Sequence, residues 1–270
     1  MGAKTKIDWC DSTWNPVTGC LHGCEYCYAR RIAERFRARE IYDPECQCQR
    51  KLIERGMLKG LGKPLELTYP WEQKNKDGSI TNAAYPFGFQ PTFHRYKLDE
   101  PQSWKKPRNI FVCSMADLFG EWVPDEWIAE VFKACEKAPQ HRYLFLTKNP
   151  KRYEDLYRKG ILRVRDSFWY GSTITGANEP FFLSRVPDDN PHTFCSIEPI
   201  IEPVGIMREM PDWVIVGAET GNRKGKVAPQ KEWIDGIAAE CSRHRKPLFM
   251  KDSLRNLMGA DFRQELPWEV

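Results

Sequence analysis

A chain of 270 residues is long enough to bury one full α/β core, and a formal charge of only +4 does not by itself announce a nucleic-acid binder. No run is apolar enough to span a bilayer and no apolar signal segment follows Met1, which argues against a membrane role and a disulfide framework and for a reducing cytoplasm. Ten tryptophans within an aromatic share of 13 % can line a cleft, although most serve as core.

The first informative segment is WNPVTGCLHGCEYCYARR, in which Cys20, Cys24 and Cys27 stand in C-x3-C-x2-C spacing. Three thiolates on one short loop can hold three irons of a cubane [4Fe–4S] cluster and leave the fourth iron open for chemistry. Gly19 and Gly23 let the backbone wrap a bulky group, and a helix is expected to follow over Tyr28–Glu40. Structural zinc is the competing reading, with His22 or Cys10 completing a four-ligand set. From Tyr28 to Lys63 ten Lys or Arg face five Asp or Glu, so the segment beside the loop is basic. A solvated helix face explains such a run, and a phosphate-facing surface carrying Arg30, Arg31, Arg35 and Arg37 is the functional alternative.

From about 41 to 107 the chain shows weak periodicity, a glycine-rich turn at Gly56–Gly62 and a polar tract at Lys74–Asn82. It reads as an insertion with its own small structure, or as a lid. Cys46 and Cys48 lie in it and, with Cys10, offer an unspecific auxiliary metal set. His94 reads as a satisfied structural histidine, with a catalytic one as the alternative.

Beyond Asn109 short β-rich runs alternate with helical patterns, the signature of parallel strands with crossover helices. Strands are expected at Asn109–Ser114, Tyr143–Thr147, Phe168–Ser172, Thr193–Ile197, Trp213–Gly217 and Pro247–Met250, and helices at Asp125–Lys137, Lys151–Lys159 and Gln230–Arg243. Pro124, Pro150 and Pro229 precede these helices, where a missing N–H costs nothing. Counting the run before Cys20, the pattern predicts a single domain, 1–270, built as a partial or closed (β/α) barrel of about seven strand units, with the insertion after its first helix. The first polar residues after the apolar runs are Asp117, Thr147, Lys148, Ser172, Thr173, Glu198, Glu219 and Lys251, which a parallel barrel gathers on one rim. Two-residue alternation puts Cys113, Met115 and Asp117 on one face, and makes Cys113 a better hydrogen-atom donor than Cys195, although a small buried hydrophobe is the commoner role. Cys135 and Cys241 fall in helical patterns and read as core.

The cysteine loop, together with WNPVTGC, PTFHRYKLDEP, KKPRNIFVCSMADLFGEWVP, LTKNPKRY, SIEPI and VGAETG, resembles the radical S-adenosylmethionine (SAM) superfamily over nearly the whole chain. It is most similar to a phage- and prokaryote-associated family within it whose reaction is unassigned. The resemblance implies a [4Fe–4S] cluster on Cys20, Cys24 and Cys27 that passes one electron into SAM and yields a 5′-deoxyadenosyl radical. In this chain SMAD, with Ser114, Met115 and Asp117, stands where the superfamily carries Gly-Gly-Glu for the SAM amine. By the same resemblance Tyr26 lies toward the adenine, Ser172 and Thr173 toward the ribose or carboxylate, and Gly217 with Glu219 near the nucleoside, while Asp117, Glu198, Lys251 and Cys113 are the candidates for chemistry. A one-electron reductant such as flavodoxin or ferredoxin is implied. A general similarity to spore photoproduct lyase points to a nucleic-acid base or nucleotide as substrate, with a metabolite or peptide, or a zinc-stabilised nucleic-acid-binding protein, as the alternatives.

Overall fold

The computed structural model describes residues 5–38, 58–59, 64–75, 77–176, 192–205 and 210–269. Cys46, Cys48 and most of the basic run beyond residue 38 lie outside the described residues. In chain order the strands and helices are β1 (Ser12–Trp14), β2 (Val17–Thr18), α1 (Tyr28–Arg35), β3 (Leu58–Lys59), β4 (Leu65–Leu67), β5 (Glu72–Lys74), β6 (Ile80–Asn82), β7 (Thr92–His94), β8 (Asn109–Val112) and α2 (Asp125–Glu136). They continue as β9 (Arg142–Thr147), α3 (Lys151–Arg158), β10 (Phe168–Ile174), β11 (Thr193–Ile197), β12 (Trp213–Val216), α4 (Lys231–Arg243), β13 (Leu248–Met250) and α5 (Arg255–Met258). No described helix is long and apolar enough to cross a membrane.

The fold is mixed α/β, with a seven-stranded sheet in the order β1-β8-β9-β10-β11-β12-β13. Its strands from β9 to β13 pair in parallel in consecutive order. Among the described residues β1 and β13 are the sheet's edges, so of the two expected forms, a partial or a closed barrel, the partial one is found. By backbone contacts the chain divides into two compact units, Met1–Ser12 with Arg108–Phe111 and His141–Val270, and Thr13–Pro107 with Val112–Gln140.

In the first unit both faces of the parallel strands are buried, which is why their sequences read as continuous apolar runs. One face gathers Trp9, Phe111, Leu144, Trp169, Phe194, Trp213, Ile215 and Phe249. The other gathers Ile174, Cys195, Ile197, Val214, Val216, Leu248 and Met250 against Ile234, Ile237 and Cys241 of α4. Gly171 sits opposite Phe194, whose ring lies 2.5 Å from where a Cβ would stand, so only glycine admits that ring. Tyr153 of α3 donates its hydroxyl to the Gly171 carbonyl at 2.9 Å and ties helix to strand.

The second unit contains the four-stranded sheet β2-β7-β4-β3, the hairpin β5-β6, and helices α1 and α2. Phe93 of β7 stacks on Trp127 of α2 at 5.1 Å, and the Arg95 guanidinium lies 4.7 Å from the Phe93 ring centroid. Arg95 pairs with Glu66 and Glu130, while Glu66 also accepts the Trp127 indole N–H at 2.7 Å. One buried aromatic stack is thus pinned by charge on both sides. The expected helix Tyr28–Glu40 ends early, at Arg35, because Arg37 enters a bridge with Tyr85 and Ala38 donates to the Tyr85 carbonyl. The expected strand Asn109–Ser114 stops at Val112: Cys113 takes φ 59° and opens a turn closed by Ala116 N–H to the Cys113 carbonyl.

Candidate functional site

The three-cysteine loop belongs to the second unit. It is entered through Gly19, at φ 87°, where a Cβ would fall 2.2 Å from the Gln90 carbonyl oxygen. Gly19 donates to the Met115 carbonyl at 2.9 Å and Cys20 to the Phe89 carbonyl at 3.3 Å, so the loop is stitched down before its first thiol. Gly23, at φ 75°, turns the chain between the first two cysteines, and Cys27 N–H returns to the Cys24 carbonyl. The Cys27 thiol caps α1, accepting the Arg30 N–H at 3.3 Å. This is the electropositive end of the helix.

All three thiols are half-buried and free of disulfides. Cys20 and Cys27 pack with Ala29, Ala33, Phe89 and Met115 in one apolar cluster. Burial pushes the Cys20 thiol up to about 12; a backbone hydrogen bond at His22 opposes this, and the charges of Asp117, Cys27 and Cys24 add to it. Among the described residues no three His, Cys, Asp or Glu side chains stand together as a ready metal group. The fit to an iron–sulfur cluster therefore rests on the donor set, three thiols carried by one glycine-flexed loop, with the apolar wall of Met115 and Phe89 beside two of them.

Asp117 and Ser114, both expected to receive SAM, have protein partners. Asp117 is buried, and its two oxygens take the His22 Nε2 at 2.7 Å and the Phe119 N–H at 3.0 Å. Its carboxylate is engaged in anchoring the cysteine loop. Trp122 sets its ring edge-on to His22 at 4.8 Å, with a buried indole N–H that has no hydrogen-bond partner. Asn15 accepts from the Ser114 hydroxyl at 3.2 Å and the Met115 N–H at 2.9 Å, and the Ser114 carbonyl accepts the Tyr28 hydroxyl at 3.0 Å. Met115 thus reaches Cys20 and Cys27 and Ser114 borders α1, while Tyr26 is half-buried within the loop. The shared face of Cys113, Met115 and Asp117 does not form, because alternation ends with the strand at Val112. Cys113 is fully buried, its thiol pushed up to about 12 by burial, and is a core residue of this unit.

In the first unit the strand ends carry a second set. Lys251, after β13, pairs with Glu198, after β11. Gly217 lies under the lysine: a Cβ there would stand 2.9 Å from the Lys251 Cδ. These three residues form one local arrangement. Glu219 is buried, and Arg223 grips it with two hydrogen bonds, Nε at 2.7 Å and Nη2 at 2.8 Å. The Arg223 hydrogen bond holds this carboxyl below its usual range, against the effect of burial. Both oxygens of Glu219 are spent on the strap. Ser172 and Thr173 occupy opposite faces. Ser172 registers with Cys195 on the side that packs on helices, whereas Thr173 shares the side of Trp169 and Gly171. The Ser172 hydroxyl is buried without a hydrogen-bond partner. Cys195 lies among the helix-facing core residues.

Sequence reasoning missed Asn15, Trp122 and Arg223, and considered His22 only as a zinc ligand. The signal for His22 was available: it is a histidine inside the cysteine spacing with an acid among the strand-end residues. Nothing in the spacing of Glu219 and Arg223 announced the strap, since the segment is not helical.

No curated protein and no solved structure matches the chain. The model of a family described as a protein of unknown function, DUF5131, matches residues 4–255, and the chain belongs to that family.

Proposed function

We propose that the chain is a radical SAM enzyme. The observation that carries this reading is the trio Cys20, Cys24 and Cys27, three half-buried thiols on one loop with the helix start of α1 beneath the third. When bound, a [4Fe–4S] cluster and SAM supply one-electron cleavage of the sulfonium and a 5′-deoxyadenosyl radical that takes hydrogen from substrate carbon. The three thiols would hold three irons, with Met115 and Phe89 excluding water from Cys20 and Cys27. Asp117 and His22 fix the loop's course between the first two cysteines. A nucleic-acid base or nucleotide is the proposed substrate class, and a cytoplasmic flavodoxin or ferredoxin the proposed electron source.

Anaerobic purification with an iron count tests the reading. We expect a brown protein with about four irons per chain, and 5′-deoxyadenosine from SAM and dithionite. Cys24→Ala should lose chromophore and cleavage together. A colourless protein holding one zinc, or a full-strength cluster in the Cys24 variant, overturns it.

A further inference from the structure

Beside the cysteine loop the second unit leaves an apolar surface bare. Of the large hydrophobic side chains exposed among the described residues, Leu21 (47 %), Tyr28 (42 %), Ile32 (37 %) and Phe36 (56 %) fall in the one stretch 21–36, while Tyr69, Ile80, Tyr157 and Leu257 are scattered in sequence. Helix α1 buries only Ala29 and Ala33. At 100° per residue, Arg31, Arg35, Tyr28 and Ile32 of the helix, with its C-cap Phe36, fall in that order on an arc of about 140° whose Phe36 end borders the buried alanines. The Arg35 guanidinium lies 5.4 Å from the Phe36 ring centroid. Glu34 is turned aside, accepting the Phe89 N–H at 3.1 Å. The face therefore sets apolar residues beside an arginine edge, the composition of a protein interface, where aromatic residues and Arg are enriched.

We propose that this face docks a small acidic one-electron carrier protein that reduces the cluster. The proposal rests on the radical SAM reading. Position selects the partner: Leu21 lies within the cysteine loop and Tyr28 follows Cys27 directly, so a protein seated here adjoins the thiols. Charge selects its sign, since Arg31 and Arg35 edge the face and α1 has no acid in its first turn. The aliphatic members Leu21 and Ile32 favour a protein over a single-stranded nucleic acid, whose bases ask for ring faces. In the step itself the carrier loses one electron and the cluster gains it, as when a flavodoxin hydroquinone passes to the semiquinone.

Purified reduced flavodoxin is the probe, with dithionite in parallel, on the wild type, Ile32→Glu and Phe36→Glu. Flavodoxin-driven 5′-deoxyadenosine formation and flavodoxin affinity should both fall about tenfold or more in each variant, as for the loss of an interface hot spot. Dithionite-driven formation should stay unchanged, and wild-type affinity should weaken as salt rises. Affinity measured on the iron-free protein keeps the two readings apart. No dithionite-driven cleavage in the wild type overturns the enzyme assignment, whereas flavodoxin affinity indifferent to both variants and to salt overturns the docking face alone. Loss of oligonucleotide binding in the variants, with flavodoxin affinity intact, reassigns the face to nucleic acid and also overturns the proposal.

Discussion

In the sheet unit, strands β9 to β13 are held by consecutive parallel register, and the charged residues at their ends are paired within that unit, Lys251 with Glu198 and Arg223 with Glu219. In the cysteine-loop unit, regular pairing is short and the loop is held instead by single contacts: Gly19 to Met115, Cys20 to Phe89, Asp117 to His22. The first arrangement spreads its stability over many equivalent bonds, so one substitution is cushioned. The second concentrates it at a few positions where the backbone is already unusual, Gly19, Gly23 and Cys113 all having positive φ. That is the pattern expected where a chain gives up regular structure to present reactive groups.

The comparison is broken most readily at Gly19. An alanine there would be forced into φ 87° with its Cβ 2.2 Å from a backbone carbonyl oxygen. Because backbone cannot move aside as a side chain can, Gly19→Ala should cost about 3 kcal/mol or more. Gly23→Ala bears only the conformational penalty, since nothing lies within 4 Å of its Cβ, and should cost about 1 kcal/mol. Denaturant unfolding of the two variants reads the difference directly. Equal losses would mean that contact with Gln90 does not hold the loop.

The same contrast decides what was legible in the sequence. Apolar runs bounded by polar residues gave β11 without error, and placed β9, β10, β12 and β13 to within two residues at either end, because a strand buried on both faces leaves a continuous signature. Helices α2, α3 and α4 followed from their spacing and their prolines. Cys113 could not be read, since nothing in NIFVCSMAD says that the strand ends at Val112 and the chain turns through a left-handed residue. The pairing of Asp117 with His22 joins residues 95 positions apart, and only the fold brings them together. Ser172 was misplaced for a simpler reason: Thr173 is its direct neighbour in a strand, and neighbours in a strand face opposite ways.

In the sheet unit the largest single effect is expected at Arg223. Arg223→Gln leaves the buried Glu219 charge to the Val227 backbone and Lys226 alone, at a cost of about 2 kcal/mol, reduced from a fully buried pair because the arginine is partly exposed. The sign with pH follows from the lowered carboxyl. The unfolded chain protonates near its ordinary 4.5 and the folded one lower, so the stabilisation is present above that value and is lost as pH falls through the folded value. Melting of wild type and variant should therefore converge in acid. A gap that stays constant to pH 3 would assign the loss to packing.

His94 gives the loop unit its own pH dependence. It is fully buried between the Thr18 hydroxyl at 2.8 Å and the Tyr96 hydroxyl at 3.2 Å. Burial, with Lys97 adding to it, holds the imidazole well below its ordinary 6.5. As pH falls below 6.5 the unfolded chain binds a proton that the folded chain refuses, so stability drops by up to about 1.4 kcal/mol per pH unit until the folded value is reached. His94→Gln should flatten this slope between pH 6.5 and 5.5. An unchanged slope would move the titration to another group.

The smallest effect runs the other way and returns to the sheet unit. Gly236 lies within α4 (Lys231–Arg243), exposed, with nothing within 4 Å of where a Cβ would stand. Its φ is not in the left-handed region, so alanine meets neither strain nor contact, and the glycine's backbone freedom in the unfolded chain is a pure loss on folding. Gly236→Ala should therefore raise stability by about 0.5–1 kcal/mol. The same substitution at Gly19 costs several times that amount in the opposite sense, although both glycines look alike in the sequence. If Gly236→Ala destabilises, α4 has a neighbour on its outer face in the working protein, and a second copy or a partner should then be sought there by sedimentation.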